Sequence, residues 1–283
     1  MRVKGIIKVI ATLIISYIVI AAIVGIEIAT ITILLILLYA WIGEYISLLC
    51  NRAISMDKLN NYERDKLERI KEIIVRDVKR VSGEDISNLK LHMIPSNQIN
   101  AMAYGMNNVS FTQNALNSCD EMTLCAILGH EVSHIFNFDA VFNRIIFGDI
   151  TFIIITLMIV SSVSVIFIWC IFLILVLFGI CRGVISVFIT SNLSRGIKAF
   201  FEIVQRGILF IYQVIMGAVS RSREFRADRY SVDLGYGMQL EYFLTRFIDD
   251  EYRQRTLTEI LYASHPISYQ RIQRIQNSLK IDI

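Results

Sequence analysis

The sequence predicts a mainly α-helical integral membrane protein, with about four transmembrane helices and a polar α+β domain, with a small sheet, split in two by membrane. Three observations predict it. Apolar residues make up 55% of the chain and charged residues 19%, and the apolar ones gather into runs of the ~20 residues that cross a ~30 Å hydrocarbon core. The charged residues gather between those runs. Within the polar stretches, apolar positions recur with helical or strand periods.

The first run covers residues 6–24 and carries Lys8, close enough to its end to snorkel. Arg2 and Lys4 ahead of it resemble the charged start of a leader. The run is longer than a leader's, however, and a second run at 28–50 follows after only Gly25, Ile26 and Glu27. Residues 1–50 therefore read as a transmembrane helical hairpin. The second run carries Glu44 and an interfacial aromatic patch, Tyr39, Trp41 and Tyr45.

Residues 51–144 read as the first half of the polar domain. Segment 57–81 is strongly charged, with apolar positions at Leu59, Tyr62, Leu67, Ile70, Ile74, Val78 and Val81. That is the spacing of an amphipathic helix with a solvated charged face. Leu89, Leu91 and Met93 alternate with Asn88, Lys90 and His92, the period of a half-buried strand, and residues 109–112 form a second extended piece beyond a turn-like 105–108. Ser118-Cys119-Asp120-Glu121 has the form of a capping box, so a helix is expected to start there and run to about Asn137.

Residues 145–220 return to the membrane. The apolar runs are 145–181 and 199–219, the second interrupted by Glu202 and Arg206. Two spans, 150–178 and 199–219, are one reading. The alternative turns tightly through Ser161 and Ser162 and lays the later part along the interface. The two-span reading leaves Arg182, Arg195 and Lys198 outside, against the positive-inside trend. Residues 221–283 are polar and helical in pattern, and form the second half of the polar domain.

A net charge of +3 with no basic stripe excludes a nucleic-acid partner, so the lipid bilayer is the partner the sequence declares. Lys and Arg precede or open the first run, follow the second and follow the last, which predicts that the N-terminus and both polar segments face the cytoplasm. Five cysteines without a CxxC pair agree with a reducing compartment. Isoleucine-rich spans with short loops fit a prokaryotic inner membrane. The sequence sets no oligomeric state.

The helix expected from residue 118 contains His130-Glu131-Val132-Ser133-His134. Residues four apart lie one above the other on a helix, so the two imidazoles converge on one point. Neutral imidazole suits Zn²⁺, one per chain, and Glu131 stands beside the pair where it can act on a water. The rival is two surface histidines on an amphipathic helix. His92 has no such partner and reads as structural. A catalytic zinc needs a third protein ligand and an open position. The candidate is Glu224, in Ser222-Arg223-Glu224-Phe225-Arg226-Ala227-Asp228, with Asp228 one turn on where it can orient its neighbours. A glutamate among arginines is ordinarily surface charge. Glu224 can reach the histidines only if the chain between them crosses the membrane an even number of times.

The order of motifs adds a resemblance. An apolar hairpin and an amphipathic helix precede Asn100-Ala101-Met102-Ala103-Tyr104-Gly105. HExxH then continues as Ile135-Phe136-Asn137-Phe138-Asp139, and the Glu224 segment and Ser264-His265-Pro266 with Arg271 follow. Over nearly its whole length the chain resembles the HtpX-type membrane metalloproteases, relatives of the CAAX prenyl proteases. The resemblance implies a zincin-like fold in which Glu224 completes a gluzincin site and Glu131 is the general base of a zinc metalloendopeptidase. It implies a role in protein quality control, with unfolded or damaged membrane proteins as substrates. It implies that Asn100, Ala101, Met102 and Ala103 form a substrate-binding edge, that His265 points into the cleft and assists catalysis, and that Asn137, Asp139, Asp228 and Arg271 support the site. The family often has Phe and Thr where this chain has Met102 and Tyr104, and a second Pro where it has Ile267. The alternatives are a dedicated CAAX-type processing protease, whose members usually have more spans, and a non-catalytic zinc-binding membrane scaffold, which would have no need of Glu131.

Overall fold

Among the described residues, four helices are long and apolar enough to cross a membrane. The computed structural model describes residues 2–181, 183–247 and 268–281. Helices α1 (Arg2–Val24) and α2 (Ile26–Cys50) pack together. They meet at Gly25, whose φ of 88° costs a glycine little. The hydroxyls of Tyr17 and Thr30 lie 3.4 Å apart between the two helices.

The polar segments fold as their periods predict. After a two-residue strand, β1 (Ile54–Ser55), and one 3₁₀ turn at Met56–Lys58, helix α3 spans Asn61–Ser82. Asn60 caps it by accepting from the Glu63 N–H, and Gly83, with a φ of 72°, ends it in the left-handed conformation. Its inner stripe, Leu67, Ile70, Ile74 and Val78, is fully buried, each side chain contributing roughly 1.5–3 kcal/mol. Strands β2 (Lys90–Ile94), β3 (Ala101–Ala103) and β4 (Asn108–Thr112) complete a four-stranded sheet in the order β1-β2-β4-β3. β2 and β4 run parallel and the outer pairs antiparallel, so β3 is an edge strand among the described residues. Leu91, Met93, Val109 and Phe111 join the α3 stripe and the next long helix in one core.

That helix, α5 (Glu121–Phe136), begins later than expected. A short helix, α4 (Gln113–Ser118), ends at Ser118, whose hydroxyl bonds to Asn114 instead of capping α5. Cys119 is extended, and Asp120 becomes the cap, its carboxylate accepting from the Thr123 N–H at 2.7 Å. Glu121 pairs outward with Arg69 at 2.7 Å. The box had two competing caps, and the carboxylate nearer the helix took the role.

Helix α6 (Asp139–Leu177) runs unbroken through Ser161 and Ser162. The hydroxyls of Ser162 and Ser164 bond back to the carbonyls of Met158 and Val160, which satisfies them within the helix. The tight turn there does not occur. α6 ends instead at Leu177, and beyond it Gly179 and Gly183 have φ of 73° and 95°. Helix α7 then spans Val184–Asp233, starting well before residue 199. Helices α8 (Gly237–Phe247) and α9 (Ser268–Ile281) complete the described chain. The chain forms two compact units, residues 1–146 with 217–283, and residues 147–216.

Candidate metal centre

Helix α5 is buried along nearly its whole length, and its histidines open on a single point. Each imidazole is anchored on one nitrogen by a carboxylate. His130 Nδ1 lies 2.9 Å from Asp228 Oδ1, and His134 Nδ1 lies 2.9 Å from Asp139 Oδ2. The partners assign the proton to Nδ1 in both rings, since a carboxylate only accepts. The two Nε2 atoms are left facing one another, 3.2 Å apart. Glu224 closes the group from α7, with Oε2 at 3.5 Å from His130 Nε2 and Oε1 at 3.6 Å from His134 Nε2. One ligand atom from each of the three residues lies within 4.8 Å of the others.

This donor set fits a metal ion. Two imidazole lone pairs and a carboxylate aimed at the same small space repel one another unless a cation lies between them, and N and O donors suit Zn²⁺. The surroundings lead to the same requirement. Burial pulls the His130 imidazole down, but its bonds with Asp228 and Glu224 outweigh this and hold it at about 10. The carboxylates thus demand positive charge where the Nε2 atoms point.

The carboxylates are themselves held. Arg271 of α9 places Nε at 2.8 Å from Asp228 Oδ2 and Nη2 at 2.6 Å from Oδ1, with Nη1 at 3.4 Å from Glu224 Oε2. One guanidinium therefore holds both Glu224 and the carboxylate that bonds His130. Asp139 receives Lys8 Nζ at 2.8 Å and Arg226 Nη2 at 2.7 Å, with Arg223 Nε at 3.4 Å.

Asp139 reaches back to His134 because the chain reverses sharply after α5. Asn137 ends the helix, its side-chain amide donating to the Ser133 carbonyl at 2.7 Å, and Phe138 takes a φ of 52°. A left-handed phenylalanine costs roughly 1–2 kcal/mol. Asn137 thus acts at the helix end, through its side-chain bond to the Ser133 carbonyl.

Glu131 is buried beside the histidines. Burial pushes its carboxyl above the usual range, and His130 and His134 pull it part of the way back. The Ala103 N–H of β3 donates to it, so the sheet edge and the metal helix meet at this residue. Along that edge, Asn100 O accepts from Thr112 N and Tyr104 N donates to Asn108 O. By the alternation of an antiparallel ladder, the peptide groups of Ala101 and Ala103 point away from β4. The Ala101 N–H is met by the Asn100 side chain at 2.8 Å, and Met102 pairs with Ser110. His265 lies outside the described residues. His92 bonds to the Asn108 side chain at 2.8 Å, away from the metal group.

Sequence reasoning missed the cations around Asp139. Arg223 and Arg226 looked like flank charges and Lys8 like a snorkelling end. The available signal was Lys8 itself, since a charge inside an apolar span calls for a partner.

The chain is similar to known proteins. The model of peptidase family M48 matches residues 61–279. A protease HtpX homolog of Bacillus pumilus (strain SAFR-032) is 24% identical over 262 residues, covering 83% of this chain and 81% of that protein. Among solved structures, Ste24p of S. mikatae shares the fold with a TM-score of 0.53 at 18% identity, covering 95% of this chain. The chain spans 66% of the length of that structure.

Proposed function

The chain belongs to peptidase family M48, and from that premise we propose that it is a zinc-dependent membrane endopeptidase acting on misfolded or damaged membrane proteins. The observation that carries this reading is the position of Glu131. It is not one of the three grouped donors, is buried beside them, and takes the N–H of Ala103 from β3, an edge strand among the described residues.

His130, His134 and Glu224 would hold the zinc, which when bound supplies a Lewis acid that acidifies a water and draws charge from a peptide carbonyl. Glu131 accepts the proton of that water as its oxygen bonds to the carbonyl carbon. It then returns the proton to the amide nitrogen as the C–N bond breaks. Asp228 and Asp139 hold the imidazoles in the tautomer that leaves Nε2 free to donate its lone pair. Residues 100–103 offer backbone groups to an extended segment, which adds as a strand and is read weakly by sequence. Selection by unfolding instead of by sequence suits quality control. The bias of Lys and Arg at the span ends supports an inner-membrane protein whose peptidase domain faces the cytoplasm.

The test is zinc content and casein cleavage by detergent-solubilised protein, wild type against Glu131→Gln. The expected result is equal zinc in both and a loss of about 10²–10⁴-fold in cleavage rate for the variant. Wild-type protein that binds zinc but cleaves no better than the variant would make this a zinc-binding scaffold. Cleavage confined to prenylated C-terminal peptides would make it a processing protease.

A further inference from the structure

Lys8 is the only charged residue in the first apolar run, residues 6–24. A charge within a spanning helix is costly and persists where it is paired. Its ammonium lies 2.8 Å from Asp139 Oδ1 and 5.0 Å from the centre of the Phe142 ring. Two more residues seat the same face of α1. At Gly5 an added Cβ would fall 2.6 Å from the Phe136 carbonyl oxygen and 2.8 Å from the Phe138 ring. Arg2 lies 5.8 Å from the centre of the Phe136 ring and donates to Asn107 at 3.2 Å. Positions 2, 5 and 8 share one side of a helix. That side therefore docks at the end of α5 and the reversal that leaves it.

Resting on the peptidase reading above, we propose that the first two turns of α1 belong to the metal site, with Lys8 a positioning residue that acts through Asp139 on His134. The carboxylate of Asp139 is held from two directions. Lys8 bonds Oδ1 at 2.8 Å, with the longer contact to Arg223 Nε at 3.4 Å on the same oxygen, while Oδ2 faces His134 and Arg226. Arg223 and Arg226 both come from α7, the helix that carries Glu224. Lys8 is the counterweight from α1. Without it the carboxylate is drawn toward α7, and Oδ2 leaves the line of the His134 N–H that fixes the ring. The hairpin of residues 1–50 is then part of the catalytic assembly as well as an anchor.

The experiment is zinc affinity of the full-length, detergent-solubilised protein, measured by competition with a chromogenic chelator. Removing a direct partner of a ligand, as in Asp139→Asn, is expected to cost about 10–100-fold. Lys8→Met, one bond further out, is expected to cost roughly 3–10-fold, less than a direct partner. Lys8→Arg, which keeps the ion pair, is expected to retain wild-type affinity. Lys8→Met added to Asp139→Asn should cost nothing more, because its path to the metal is already gone. Simple charge proximity predicts the opposite sign, since removing a cation near a dication site tightens binding. Wild-type or tighter affinity in Lys8→Met overturns the proposal, as does an equal further loss in the Asp139→Asn background, which would mark a general loss of structure. Wild-type protein that takes no zinc fails the peptidase reading first and this inference with it.

Discussion

The replacement Asp228→Asn tests the site at its most shared residue. The Asp228 side chain is 3% exposed and serves two partners. Its Oδ1 is shared by His130 Nδ1 at 2.9 Å and Arg271 Nη2 at 2.6 Å, and its Oδ2 takes Arg271 Nε at 2.8 Å. Asparagine fills the same volume but has one acceptor and one amide donor. If its oxygen keeps the Oδ1 position, its NH₂ faces the Nε–H of Arg271; reversed, it faces the Nδ1–H of His130. At least one charge-assisted bond is lost, worth about 1.5–3 kcal/mol. Among the described residues, Arg271 then keeps only Glu224, at 3.4 Å, as an acidic partner. Its charge pulls harder on a carboxylate needed for the metal. The expected result is zinc binding weakened about 10–100-fold, or roughly 1.4–2.8 kcal/mol at 1.4 kcal/mol per tenfold. The metal-free protein should also melt at a lower temperature, since half-breaking a buried ion pair is destabilising by several kcal/mol. Chelator competition and thermal unfolding in detergent measure the two effects. Wild-type zinc affinity with an unchanged melting point would refute the claim that Asp228 orients His130.

Other expectations are as direct. Burial raises the Glu131 carboxyl, so in the metal-free protein it should take up its proton above the ~4.3 of a free glutamate; an infrared carboxyl titration, compared with Glu131→Gln, that shows protonation at or below that value would contradict this. Ile70→Ala in the α3 stripe should destabilise the protein by about 2–5 kcal/mol, read as a lower thermal midpoint, because Ile70 is fully buried. Burial pushes the thiols of Cys119 and Cys125 up to about 11 and about 12, so a maleimide at neutral pH should leave both unmodified until the protein is denatured. Peptide mapping by mass spectrometry would show it.

Much of this was legible in the sequence, for physical reasons that differ by element. The α3 stripe and the alternation at Leu89, Leu91 and Met93 are periodic over several residues, and period survives tertiary context. The four apolar runs were legible because length alone sets the requirement for crossing a bilayer. The pairing of His130 with His134 follows from helix geometry alone. Local signals were less secure. Ser118 and Asp120 both suit a cap, and only the extended Cys119 decides between them. Ser161 and Ser162 suggested a break, but the helix runs through them and the Ser162 hydroxyl bonds back to the Met158 carbonyl. The reversal at Phe138 had no sequence mark, because a left-handed turn is usually signed by Gly or Asn. Without that turn, the bond from Asp139 to His134 could not be read, and Lys8 had no visible partner.

The split of the ligands along the chain has a consequence for biosynthesis. Glu224 follows His134 by ninety positions, and Arg271 comes later still. At ~5–20 residues per second, translation needs on the order of ten seconds to pass from one ligand to the next. During that interval the nascent chain carries two histidines and a base but no third donor. The intervening apolar segment must also be synthesised and inserted before Glu224 can approach. A chain that stops before Glu224 therefore lacks the third donor, and the three can come together only after the apolar segment between them has been made.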